Sequence, residues 1–145
     1  MTGQKESGNC CGYVLVDYQL RRSNLEHPNQ GTYLGGTFME VPDSLNAYAR
    51  YYEERLYKQA PFRSRPNDLL SVVASHTGYS NYFTDNFVKS GKSVWRSGYT
   101  NTGSYSLQAS PGNYLGVGLS YVYGLTISPR VPNTFICIAG LATYF

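Results

Sequence analysis

Between Leu115 and Ile127 every odd position carries a bulky side chain (Leu115, Val117, Leu119, Tyr121, Tyr123, Leu125, Ile127). The even positions hold Gly116, Gly118, Ser120, Val122, Gly124 and Thr126. A period of two belongs to a β-strand, whose successive side chains point to opposite faces. One face is greasy and the other nearly flat, which predicts that the odd positions face a core and the even ones solvent or a second layer. Pro129 and Pro132 in "SPRVPN" end the run. "TFICIAGLATYF", residues 134 to 145, then returns as a second apolar segment able to pair with the first in a long antiparallel hairpin.

Upstream, "GYVLVDYQL" (12 to 20) and "GTYLGGTFMEV" (31 to 41) mix β-branched and aromatic residues and read as strands, with Gly35 and Gly36 marking a bulge or bend. "RRSNLEHPNQ" between them is a turn-rich loop broken by Pro28 and Asn29. "PDSLNAYARYYEERLYKQAP" has the start signals Pro42, Asp43 and Ser44, a stripe of Leu45, Tyr48, Tyr52 and Leu56 at helical spacing, and Pro61 as a stop, so it predicts one long helix over about 43 to 59. Shorter helices are expected at "NDLLSVVAS" (67 to 75) and "SNYFTDNFVKSG" (80 to 91), the latter with Ser80 as cap and Gly91 at a left-handed C-terminal position. The expected fold is therefore α+β: a single domain over 1 to 145, with a mainly antiparallel sheet, one long helix and one or two short ones.

Only 14% of the residues are charged and 41% are hydrophobic, with 15 tyrosines and 15 glycines. That profile favours a secreted protein, a particle or virion component or a recognition surface over a cytosolic enzyme, and hence an extracellular or particle-associated location. No run of about 18 apolar residues marks a membrane-spanning helix, and the N-terminus lacks a signal-peptide pattern, so the chain reads as mature, soluble and without a membrane span. Cys10, Cys11 and Cys137 suit three free thiols with Cys137 buried in a strand, or one bridge from the N-terminal pair to Cys137.

Five Lys/Arg against seven Asp/Glu in residues 1 to 55 give −2, and seven against two in 56 to 145 give +5; the last carboxylate side chain is Asp85. Two histidines, His27 and His76, offer no nucleophile–base–acid signature, and adjacent cysteines lack the spacing of metal ligands, so neither a catalytic triad nor a metal site is expected. "GVG" at 116 to 118 lies in a strand and opens no helix, which removes a phosphate loop. The reading that remains is a non-enzymatic module that binds a protein partner or itself through an aromatic surface. Its candidate residues are Trp95, Tyr99 and Tyr105, with Lys92 and Arg96 beside them. The same residues could stack a sugar ring or a single-stranded nucleic acid. No cofactor is expected on this reading.

Three collinear pieces, "RLYKQAPFRSRPNDLL", "SGYTNTGSYSL" and "SYVYGLTISPRVPNTF", together resemble the enterotoxin-like and pertussis-like ADP-ribosyltransferases over about half of the chain. The resemblance implies NAD as cofactor, with Lys58 or Arg63 at the NAD-contacting arginine and Thr100, Asn101 and Thr102 in place of Ser-Thr-Ser. The downstream glutamate of that family has no counterpart after Asp85. The resemblance therefore implies an inactive relative, a fragment, or chance likeness among Tyr/Ser-rich strands.

Overall fold

The computed structural model describes residues 9–124 and 133–144. It contains seven strands, β1 (Gly12–Arg22), β2 (Gly31–Glu40), β3 (Tyr48–Gln59), β4 (Leu69–Tyr79), β5 (Ser97–Ser110), β6 (Asn113–Tyr123) and β7 (Thr134–Thr143), and one helix, α1 (Asn81–Lys89). Every strand pairs antiparallel with the next, so the order in the sheet is the order in the chain, with β1 and β7 as its edges.

The registers align side chains in rows across the sheet. Tyr18, Leu34, Leu56, Val72, Gly103, Leu119 and Cys137 form one row on one face. The opposite face has Asp17, Gly35, Arg55, Val73, Thr102, Ser120 and Ile136 in register. The greasy face is the exposed one: Val72 is 58% and Leu119 50% exposed, whereas Ser120, on the other face of the same strand, is 4%. The strand alternation at 115 to 123 is present, but the odd residues Leu115, Val117, Leu119 and Tyr121 point outward and not into a core. Leu125, Ile127, Pro129 and Pro132 lie outside the described residues. Among the described residues the buried apolar side chains are only Ala49, Tyr79 and Val122. A single sheet has no second layer to bury its apolar face, so this is not the layered core of an α+β domain.

The long helix expected over 43 to 59 is replaced by β3, and that expected over 67 to 75 by β4. The reason for the first is arithmetic. Tyr52 and Leu56 are four apart, which places them on one side of a helix but equally on one face of a strand, because four is a multiple of two; Tyr48 stands beyond a register slip, opposite Tyr79. Leu45 belongs to the connection before β3. The third segment does form a helix: the Ser80 side chain accepts a hydrogen bond from the Phe83 backbone N–H at 3.3 Å, and Gly91 has φ +77°. Gly35 and Gly36 cause no bulge; the register slips of β1 against β2 at Gln19 to Arg21. Cys10, Cys11 and Cys137 are all free thiols, and Cys137 is exposed on β7 rather than buried.

The turn between β3 and β4 is clamped from outside. The Asp68 carboxylate accepts from Arg65 Nε at 2.6 Å, from the Gln108 backbone N–H at 2.9 Å and from the Tyr105 hydroxyl, while its own exposure is 2%. Burial alone would raise its pKa, but the hydrogen bonds from Tyr105, Gln108 and Arg65 outweigh burial and hold it below the usual carboxylate range. Its folded-state pKa thus lies under the unfolded one, so its stabilisation is present above the ordinary carboxylate pKa and is lost as pH falls through the lowered value. Acidification is therefore expected to loosen the 60 to 68 turn before the sheet, and Asp68→Asn should remove that pH dependence. Amide exchange of Ala60, whose N–H bonds the Asp68 carbonyl at 2.9 Å, reads this out.

Candidate functional site

The polar face carries the charged cluster. Asp17 on β1, Gly35 on β2 and Arg55 on β3 are in register. Because Gly35 has no side chain, the Arg55 guanidinium reaches over β2 to Asp17, with Nε to Oδ1 at 3.1 Å and Nη2 to Oδ2 at 2.9 Å. Its Nη1 donates to Glu53 Oε1 at 2.8 Å and to Thr37 Oγ1 at 2.9 Å. The Tyr51 hydroxyl donates to the other oxygen of Glu53. One cation thus sits between two carboxylates, with most of its donors already engaged.

Two residues further along these strands, Tyr33 and Tyr57 face each other and stack, with ring centroids 4.9 Å apart and planes 3° from parallel. Gln19 Nε2 donates to the Tyr33 hydroxyl at 3.0 Å, and that hydroxyl donates to the Asn29 carbonyl at 2.7 Å. On β4 to β6 the face continues as hydroxyl pairs, Ser71 with Ser104 at 2.7 Å and Thr102 with Ser120 at 2.7 Å. Beyond them a groove of about 450 Å³ runs over Gly116, Gly118 and Gly140, walled by Tyr114 and Ile138. The whole surface offers hydroxyls, carboxylate lone pairs and tyrosine rings. Among the described residues it shows no nucleophile poised beside a base.

The other face carries an aromatic row instead. Phe38, Tyr52, His76, Tyr99 and Tyr123 are in register on β2 to β6 and touch in sequence, at centroid separations of 5.2, 5.8, 4.6 and 6.3 Å. Trp95 packs on the end of this row, 5.1 Å from Tyr123.

The structure therefore places Trp95 and Tyr99 together but sends the other candidates elsewhere. Tyr105 lies six residues along β5 from Tyr99, against Phe62 and Asp68. Arg96 binds Asp85 at 2.8 Å and Thr84 and Asn81 of α1, and Lys92 lies over the Phe87 ring. Lys58 is on the apolar face near the end of β3, Arg63 is in the 60 to 68 turn, and Thr100 and Thr102 are on the polar face. Lys58 and Thr102 thus occupy opposite faces and cannot line one NAD cleft. The sequence reading passed over Asp17, Glu53, Arg55, Tyr33 and Tyr57. The available signal was an ion-pairing set at odd positions of segments whose even positions hold Val14, Val16, Tyr52 and Leu56.

Comparison with known proteins decides what such a sheet belongs to. The model of the family "Carbohydrate-selective porin, OprB family" matches residues 2–124. This chain belongs to the OprB family. No curated protein gives a significant match. Among solved structures, OprB of Pseudomonas putida, determined at high pH, superposes with a TM-score of 0.77 at 15% sequence identity, covering 90% of this chain and 34% of that one. That likeness shows the fold, and the chain spans about a third of the length of the matched structure.

Membership of the OprB family overturns four expectations: the ADP-ribosyltransferase resemblance, the α+β class, the virion or secreted recognition role, and the absence of a membrane span. The last rested on searching for an apolar helix. Among the described residues no helix is long and apolar enough to cross a membrane, but strands cross with alternating sequences that no such search detects. A location outside the cytoplasm is retained.

Proposed function

We infer that this chain forms part of the wall of an outer-membrane β-barrel channel that passes carbohydrate, with its apolar face against lipid and its polar face along the aqueous path. The observation that carries this reading is the inverted alternation: the exposed face is the greasy one, and the half-buried face holds the Asp17–Arg55–Glu53 cluster and the hydroxyls. Water would penalise that arrangement, whereas a bilayer outside and water inside favour it. Strands of 10 to 14 residues meet or exceed the roughly 9 to 11 needed to cross a bilayer at a tilt.

Charges bracket the apolar band. Arg50 pairs with Glu40 at 3.3 Å at one end, and Lys58 stands at the other. The eight residue steps from Arg50 to Lys58 span about 27 Å of strand, or about 21 Å of height at a tilt near 40°, close to the apolar band of such barrels. The Phe38–Tyr52–His76–Tyr99–Tyr123 row, with Trp95 at its end, lies just inside the Arg50 level, where an aromatic girdle meets headgroups. Trp95 and Tyr99 thereby keep a surface role as interface anchors. Open sheet edges are not tolerated in lipid, so β1 and β7 pair with further strands that complete the wall.

The test is quenching in vesicles. With Trp95→Phe as background, a tryptophan at Val117 should be quenched by brominated acyl chains, and one at Ser104 by iodide from water. Equal iodide quenching at both positions defeats the reading. Vesicle swelling in neutral sugars then measures passage.

A further inference from the structure

One row of the apolar face carries two cations with no acid to neutralise them. The register aligns Arg21 on β1, Thr32 on β2 and Lys58 on β3, and continues through Leu70, Tyr105 and Val117. Arg50, Arg55, Arg65 and Arg96 each hold a carboxylate, whereas Arg21 and Lys58 have no ion-pair partner among the described residues. Asp68 is bonded to this row through the Tyr105 hydroxyl, but it is buried and already paired with Arg65. Thr32 stands between the two cations, and its hydroxyl has no hydrogen-bond partner among the described residues. The row also marks a boundary. Toward the middle of the sheet the same face presents Tyr18, Leu34, Leu56 and Val72, all exposed. The shortest connection between strands, 111 to 112, lies at the Lys58 end, and the longest, 80 to 96, at the other. In outer-membrane barrels short turns face the periplasm.

We propose that Arg21, Thr32 and Lys58 seat the phosphate of an anionic phospholipid in the periplasmic leaflet. The proposal rests on the membrane reading above, and charge and depth together select the occupant. Arg21 and Lys58 are two strand spacings apart, about 10 Å, and the short Thr32 side chain leaves the space between them open. A lone cation at this level extends into water by itself. Two that flank a hydroxyl in one row present a guanidinium fork, an ammonium and an O–H to the same phosphate oxygens. The Tyr18–Leu34–Leu56 row then meets the acyl chains of the same lipid, so both ends of one molecule find matching surface. Two cations without a carboxylate also favour a lipid of net negative charge over one whose own choline balances its phosphate.

The test replaces the single native tryptophan, Trp95→Phe, and places a reporter at Leu34→Trp, just inside the seat. The chain is inserted in phosphatidylcholine vesicles that contain a small, equal fraction of brominated phosphatidylglycerol or brominated phosphatidylcholine. Stronger quenching by the brominated phosphatidylglycerol is expected, and Arg21→Gln and Lys58→Gln should each lower that preference about fivefold. Arg50→Gln, at the opposite end, should leave it unchanged. A second variant separates a seat from diffuse attraction: Lys58→Gln with Leu70→Lys keeps the net charge of the row but moves it one strand away from Thr32. The preference should stay lost, and its recovery overturns the proposal, as does equal quenching by the two brominated lipids in the parent. Inorganic phosphate should displace the lipid no better than chloride at the same ionic strength; displacement by phosphate alone would assign the seat to a free anion and overturn the lipid. The quenching at Val117 and Ser104 described above reports separately whether the apolar face meets lipid, so failure of the seat and failure of the membrane reading are distinguishable.

Discussion

Leu119→Arg is expected to destabilise the membrane-inserted chain by about 2–4 kcal/mol, whereas Leu115→Arg should cost only about 0–1 kcal/mol. Both residues are on β6, on the same exposed face, and both replace leucine. They differ in depth. Leu119 is next to the middle of β6, where an arginine must either leave its charge in hydrocarbon or thin the bilayer around it. Leu115 is three residues from Gly112 of the turn that opens β6, from which a long side chain reaches water. Ser104→Arg, at the depth of Leu119 but on the polar face, should cost under about 1 kcal/mol because its head meets the aqueous path. Urea titration of the vesicle-bound chain measures all three. Equal losses at positions 119, 115 and 104 would show that depth and face do not matter, and with them the bilayer assignment would go.

The same two-faced construction explains what could be read from the sequence and what could not. Strand β6 was visible because bulky residues alternate with small ones, β1 and β2 because β-branched and aromatic residues gather there, and β7 as an apolar segment able to pair with β6. Ser80 and Gly91 marked α1 by capping chemistry, which needs no tertiary context. In β3 the pattern is obscured: Glu54, Arg50 and Lys58 share the apolar face with Tyr52 and Leu56, and Tyr51 and Tyr57 share the polar face with Glu53 and Arg55. Neither face then stands out in hydropathy, and the spacing of four imitates a helix. More fundamentally, alternation tells which residues share a face but not what that face meets. Assigning the greasy face of β6 to a core assumed water outside, and in a barrel wall the solvent is reversed. The Asp17–Arg55 bridge was hidden for another reason, since it joins residues separated by 38 positions through a strand that lies between them.

That bridge depends on an absent side chain, so Gly35→Ala should have an effect out of proportion to one methyl group. A Cβ at Gly35 would lie 2.2 Å from Asp17 Oδ1 and 2.5 Å from Arg55 Nε, with no backbone clash among its nearest neighbours. The two charged side chains must therefore swing apart while the strand keeps its register. Losing a charge-assisted pair costs about 1–3 kcal/mol, and because Asp17 remains a third exposed the lower end is expected. Asp17→Asn should cost a similar amount, and combining it with Gly35→Ala should add little, since both remove the same contact. The functional consequence follows from the donors. With Asp17 withdrawn, Arg55 keeps Glu53 but turns two free N–H groups toward the aqueous path, so passage of sugar acids should rise relative to neutral sugars. A gain of about 1 kcal/mol for the anion corresponds to roughly a fivefold change in the flux ratio. Vesicle swelling in a neutral hexose and in its uronic acid gives that ratio. An unchanged ratio with an intact fold would mean that solute does not pass the Asp17–Arg55 cluster, and the aqueous path would then have to run along another part of the polar face.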